Sequence, residues 1–266
     1  MYAVNTLRRA AGDSKLPVRR VKSFVVADGA ASGGTVASGI LMAKKPELAV
    51  AGANPFCLGG EPAGGPRPED KDFTGRDIFY DDDLKGWAVP FGMAALNTRV
   101  VRRSNALLGY GDNFNYREMS PAAERPAPPP PRPTKPSGPA TANAKKTATS
   151  PAAAMEAMVA AGQLPKPGEG PSKEKRDASK FNLVVFAEAE NGARAKVNVS
   201  GGDPGYTETA KMLSEAALCM ALHKEMLPGT GGVLTPASAL GTVLVSRLQQ
   251  AGIRFWSDTP TSAAKL

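Results

Sequence analysis

Apolar positions recur along this chain with two periods, and each change of period marks an element. In Met1–Gly12, Val4, Leu7 and Ala11 stand at helical spacing with no capping residue ahead of them. A first helix without a start signal is what a truncated chain would show. Leu16–Asp28 predicts a strand, rich in Val18, Val21, Phe24 and the Val25-Val26 pair and stopped by Gly29. Ser32-Gly33-Gly34-Thr35 follows, where Ser or Thr can cap a helix running through Val36, Ile40 and Met42 to Lys44. Residues 46–86 show no period and are expected to be irregular. Trp87–Leu108 predicts a second helix. Phe91, Ala94, Ala95, Thr98, Val101 and Ala106 would share its apolar face, with Arg99, Arg102 and Arg103 leaving it. Phe114–Met119 alternates as a short strand would.

The pattern returns at Phe181–Glu190 and Ala193–Ser200, two β-rich runs around Asn191-Gly192. That dipeptide predicts a hairpin with a type I′ turn. Gly205–Met226 predicts a long helix, capped by Thr207 or Thr209, with Met212, Ala216, Cys219, Met220 and His223 aligned along it. Pro236–Gly252 is the last expected helix, closed by a glycine, before a short Ile253–Trp256 strand. No repeat of fixed period is visible.

Composition changes this picture in one place. The chain has 266 residues and 24 prolines, and more than half of the prolines lie between Pro121 and Pro171. Ser120–Lys180 therefore reads as a disordered linker, with polyproline II at Pro126–Pro131 and at best a nascent helix around Met155–Ala160. The expected organisation is one α/β (α+β-like) domain made of residues 1–119 and 181–256, interrupted by the 120–180 insert and followed by a flexible tail, 257–266.

The net charge of +8 is diffuse, and no basic face is interleaved with aromatics, so nucleic acid is not an expected partner. Cys57 and Cys219 lie far apart, which suits a reducing compartment. The single histidine, His223, argues against a Ser-His-Asp triad or a histidine-rich metal site. The triplet Asp81-Asp82-Asp83 reads as a solvated turn or helix cap and not as a metal site, since consecutive side chains on extended backbone diverge. No signal peptide and no run of 18 apolar residues is present, so no membrane span is expected. The chain ends in Ala264-Lys265-Leu266, one residue from the S-K-L address. The import receptor of a peroxisome or glycosome is thus an expected partner; otherwise the location is cytoplasmic.

Four blocks, in order, carry a family resemblance. They are Gly33-Gly34-Thr35-Val36-Ala37-Ser38, then Pro90-Phe91 through Asn97-Thr98-Arg99 to Ser104, then Leu164-Pro165-Lys166-Pro167-Gly168-Glu169-Gly170-Pro171. The last joins Gly202-Asp203-Pro204-Gly205-Tyr206 to Gly231-Gly232-Val233-Leu234-Thr235-Pro236. The set resembles the C-terminal part of saccharopine dehydrogenase-like oxidoreductases, nearest the branch with the trans-acting enoyl reductases of lipid assembly. The resemblance implies a mixed sheet covered by helices on one face, a substrate or dimerisation domain that follows a Rossmann domain binding NAD(P)H. No G-x-G-x-x-G turn opens this chain. Gly109-Tyr110-Gly111 lacks the third glycine, and Gly229–Gly232 falls between two helices. The cofactor half, and the NAD(P)H site with it, is expected to be missing or to come from a separate Rossmann-domain chain. Where some relatives carry an apolar membrane-associated segment, this chain has its polar linker.

The candidate substrate-binding residues are Gly33, Gly34, Thr35, Asn97, Arg99 and Tyr206; no catalytic, cofactor or metal residue is assigned. The glycine pair allows a close backbone approach at a helix N-terminus, or simply lets the helix begin. Arg99 offers a bidentate fork to a carboxylate or phosphate, or forms a structural ion pair. Asn97 serves a ligand or satisfies backbone. Tyr206 is a candidate proton donor. Asp203 is expected to cap the helix after it, and His223 to sit in the core. Two function classes remain open. One is the C-terminal half of an NAD(P)H-dependent enoyl reductase-like oxidoreductase. The other is a non-catalytic binding module, a homodimer through its sheet, that has lost its cofactor domain.

Overall fold

The computed structural model describes residues 1–73, 77–122, 124, 150–229 and 231–259. Seven strands form one mixed sheet: β1 (Val18–Ala27), β2 (Phe79–Asp81), β3 (Gly86–Pro90), β4 (Asn115–Ala122), β5 (Phe181–Ala189), β6 (Arg194–Gly201) and β7 (Arg254–Ser257). Their spatial order is β2-β3-β4-β1-β5-β6-β7. β1 lies at the centre, parallel to β4 and antiparallel to β5. All other neighbours are antiparallel.

Side chains alternate across a strand, and here the two faces differ. On one face Val21, Tyr116, Ala187, Ala195 and Val197 bury against Val4 and Leu7 of helix α1 (Tyr2–Ala11). Helix α4 (Ala94–Leu108) covers β4 on that face. Helix α8 (Pro236–Gln250) sets Leu244 and Leu248 against Phe181, Leu183, Val199 and Phe255. Helix α7 (Thr207–Leu222) packs outside α8. The opposite face carries a second apolar cluster, Phe24, Ala88 and Met119 with Phe73, Phe79, Leu84, Val184 and Phe186, and beside it charged side chains such as Arg20, Lys22 and Asp81. The expected α/β fold, a mixed sheet with helices on one face, is the one found. No helix among the described residues is long and apolar enough to cross a membrane.

Several expectations are corrected. Residues 46–86 are not wholly irregular: they hold α3 (Pro46–Ala53), a 3-10 turn at Pro68–Asp70 and β2. Residues 87–90 extend as β3 instead of starting a helix. A residue before proline avoids the α region, which keeps Val89 extended, so α4 starts at Ala94. Arg99 and Arg102 do not leave the buried face of α4; both are almost wholly buried, and Ala106 is exposed. Within the expected linker, α5 (Pro151–Ala160), capped by Ser150, packs on helix α2 (Gly33–Ala43) with Ala152 buried, and α6 (Lys173–Ala178) follows. The alanine-rich composition read as low complexity is here a helix former with a cap and a packing partner.

The hairpin is present, but its loop has three residues. Asn191 does not take a positive φ, whereas Gly192 does at 85°, and Ala189 and Ala193 close the loop. This is a type I turn with a glycine bulge, supported by the Asn191 Oδ1 that accepts from the Ala193 N–H. In α7, Cys219 is buried while Met212 and Met220 are exposed. Asp81 and Asp83 are not a solvated turn: Lys22 pairs with both carboxylates, at 2.7 and 2.5 Å. The Pro126–Pro131 tract and Ala264-Lys265-Leu266 lie outside the described residues.

Candidate functional site

Three Gly/Pro-rich loops meet at the C-terminal end of β1, and they hold three of the four resembling blocks. The first opens α2. Ser32 Oγ accepts from the Thr35 N–H at 3.0 Å and lies 2.9 Å from the Thr35 hydroxyl. The second, Lys166–Gly170, lies on top of it, and the Gly33 N–H donates to the Glu169 carbonyl at 3.0 Å. A Cβ on residue 33 would meet the Lys166 carbonyl oxygen at 1.7 Å, so glycine is required by the close approach. The third loop is Asp203–Tyr206. The Tyr206 hydroxyl donates to the same Glu169 carbonyl at 2.6 Å, and its ring covers Gly170.

Asp203 builds that third loop. Its carboxylate accepts from the backbone of Gly205, Tyr206 and Thr207 at 2.8 to 3.3 Å, just ahead of α7. Burial would raise its pKa, but these N–H donors outweigh burial and hold it below the usual carboxylate range. Asp203 thus closes the turn that leads into α7 and reaches its first N–H, while the N-cap residue is Tyr206 with no side-chain cap, and Thr209 turns its hydroxyl to the Pro204 carbonyl. A cavity of about 440 Å³ adjoins the loops, lined among others by Ala30, Leu164, Lys166, Glu169 and Lys175.

Gly33, Gly34, Thr35 and Tyr206 are therefore brought together, with Glu169 as the shared acceptor. Asn97 and Arg99 stand on α4. The Asn97 amide donates to Glu118 of β4 at 2.8 Å, and the Tyr116 hydroxyl donates to the other Glu118 oxygen at 3.2 Å. Burial pushes the Glu118 carboxyl up, and the two donors offset part of that. Burial, and then Glu118 beside it, pushes the Tyr116 hydroxyl far up. Sequence reasoning missed Glu118 and Tyr116. The available signal was a polar pair at alternate positions of a strand, on the side that faces a helix.

Both terminal nitrogens of Arg99 are engaged. One meets Asp72 at 2.5 Å and the Thr98 hydroxyl, and the other donates to the Gly52 carbonyl at 2.7 Å. Hydrogen bonding to Asp72 raises its pKa further. Arg102 donates to the Pro55 and Asp70 carbonyls and lies over the Phe56 ring. Arg103 reaches the carbonyls of Leu58 and Val233. The three arginines hold the 52–72 segment against α4. His223 is half-buried at the end of α7, its Nε2 3.1 Å from Arg247.

The β1-turn-α2 unit does not fit a dinucleotide phosphate. The Gly33 N–H is spent on Glu169, the Thr35 N–H is spent on Ser32, and the Lys166 carbonyl fills the space the glycine leaves open.

Comparison with known proteins bears on the same chain segment. It is similar to trans-acting enoyl reductases. A Mycobacterium tuberculosis H37Rv protein whose name assigns it provisionally to that group is 34% identical over 251 residues, covering 88% of this chain and 57% of the relative. The trans-acting enoyl reductase of Mycobacterium ulcerans is 34% identical over 199 residues, 73% of this chain and 46% of the relative. That of Mycobacterium bovis BCG is 32% identical over 201 residues, with the same coverage of 73% and 46%. The chain thus spans about half the length of these relatives. No protein-family model and no solved structure matches it.

Proposed function

We propose that this chain is the substrate-side part of an enoyl reductase-like oxidoreductase of lipid metabolism, working with NAD(P)H bound outside the described residues. The supporting observation is the similarity to trans-acting enoyl reductases along 88% of the chain. The loop junction at the end of β1 agrees with it, because it brings blocks far apart in sequence into contact, beside a cavity lined chiefly by the 162–171 loop.

Reduction of an enoyl thioester ends with a proton delivered to the α-carbon. Tyr206 is the group assigned to deliver it. Tyr206 is half-buried and its hydroxyl donates to one acceptor, the Glu169 carbonyl of a residue that lines the cavity; delivery of the proton requires that bond to break. The Thr35 hydroxyl orients the thioester beside the Gly33-Gly34 backbone. Asn97 is assigned a supporting role through Glu118 of β4, which its amide holds.

An NMR titration with crotonyl-pantetheine, which carries no phosphate, tests this. The expected shifts fall on residues 30–35, 164–171 and 206. Shifts elsewhere, or none at millimolar thioester, would sink the reading. Thioester-dependent NADPH consumption in the presence of a dinucleotide-binding partner, lost in Tyr206→Phe, separates an oxidoreductase from a binding module.

A further inference from the structure

The sheet face opposite the helices carries two cavities that meet at Arg20 and Lys22. The larger, about 570 Å³, brings five cations (Arg19, Arg20, Lys22, Arg67 and Arg117) together with two carboxylates, Glu69 and Asp81. The smaller, about 310 Å³, runs on past Phe186 to Arg194 and Lys196.

The charges are layered. Glu188 and Asp81 form the floor, each 7% exposed, and Asp70 beneath Arg67 is wholly buried. Above them the side chains of Arg19, Arg20 and Arg194 stand 55%, 39% and 62% exposed. Burial would raise Asp83 and Glu188, but the surrounding Lys22, Arg20, Arg19 and Arg194 outweigh it and keep them ionised. Around Glu188 a solute therefore meets cations first, whereas Glu69 and Asp258 towards the ends of the trough stand about half exposed beside Arg67 and Lys196.

Arg117 stands apart from the other arginines here. Its Nε is buried with no acceptor among the described residues. One terminal nitrogen reaches the Glu69 carbonyl only at 3.5 Å, and the guanidinium lies 4.9 Å above the Phe73 ring. Arg19 and Arg20 share Glu188, and Lys22 has Asp81 and Asp83. Arg117 pairs with no carboxylate among the described residues. A flat fork fixed against an aromatic ring, with its inner donor unmet, is a preorganised set of hydrogen-bond donors for oxygen anions.

We infer that this trough binds a phosphate-bearing small molecule, with Arg117 and Arg20 as its forks and Lys22 as the charge beneath. Several cations around one cavity suit a group with more than one negative charge, and Phe79 and Phe186 offer an apolar wall to an organic remainder.

Calorimetric titration of the whole chain with pyrophosphate and, separately, ADP tests the site. Saturable one-to-one binding is expected at low salt. Arg20→Gln and Arg117→Gln should each weaken it at least about tenfold, the scale of one charge-assisted fork. Arg117→Lys should weaken it as well, because charge without the fork is not enough. Lys44→Gln, which changes net charge equally at a residue paired with Glu156 on the helical side, should leave it unchanged. ADP binding tighter than pyrophosphate shows that the organic part uses the aromatic wall; equal affinity shows recognition of the phosphate alone. Arg20 is partly exposed, so its variant reads the site without a folding defect. Three results would overturn the site: no saturable heat with the native chain, Arg20→Gln and Arg117→Gln both behaving as Lys44→Gln, or a dimer dissolved by Arg20→Gln that binds neither probe.

Discussion

The β5–β6 hairpin and the 46–72 segment are both packed on this domain, by different physics. The hairpin is held by an eight-pair backbone ladder and by alternate apolar side chains that face α1 and α8. The 46–72 segment has little regular structure and is held by arginine forks from α4 donating to its carbonyls. The first relies on a repeated pattern in which each residue is one of many. The second rests on a few side chains, each with several partners, so its stability is concentrated.

The comparison can be broken where each region is anchored. The largest effect is expected from Leu7→Ala, which opens a cavity beneath α1 at a side chain 1% exposed. A loss of about 4 kcal/mol in global stability is expected, about 10 °C in melting temperature. Arg102→Ala should cost about 3 kcal/mol, because a buried and a half-buried carbonyl lose their donor and the packing over Phe56 is lost. Arg102→Lys should recover little of it. Hydrogen exchange should then speed up over residues 52–70 well before the hairpin. Equal loss of protection in both regions would end the distinction.

Gly33→Ala sharpens the same point at the candidate site. The added methyl must displace the Lys166 carbonyl, at a cost of about 2 kcal/mol, and free the Tyr206 hydroxyl from Glu169. Loss of the Glu169–Tyr206 contact by NMR, with β5 and β6 unchanged, is the expected signature.

The smallest effect is Asp203→Ala, about 1 kcal/mol at neutral pH. The folded pKa of Asp203 lies below its unfolded value of about 3.8. Its contribution is therefore complete above that value and fades as the pH falls through the folded pKa. The native and variant chains should converge in acid. A gap that persists in acid strong enough to protonate Asp203 in the folded chain would show that Asp203 acts by packing.

What could be read from the sequence divides along the same line. β1, β5, β6, α1 and α8 follow from periodicity, turn glycines and caps, because those signals are local. Arg99 and Arg102 were misplaced because amphipathic reasoning sends charge to solvent, while their partners lie 27 to 47 residues away. The β2–β3 pair was missed because Trp87–Pro90 is apolar enough to pass for the start of α4. Gly33, Thr35 and Tyr206 were legible as turn and cap residues. Their meeting over Glu169 was not, since it depends on a loop that no local period encodes. Glu118 escaped because a buried carboxyl in a strand has no signature until the helix above it is placed.

The central position of β1 also sets an order of assembly. Its antiparallel partner β5 begins 154 residues after β1 ends, from Ala27 to Phe181. At ribosomal speeds of about 5–20 residues per second, Phe24-Val25-Val26 waits on the order of ten seconds for its neighbour. During synthesis the apolar end of the central strand is therefore an unpaired edge, and a nascent-chain chaperone has its natural target there.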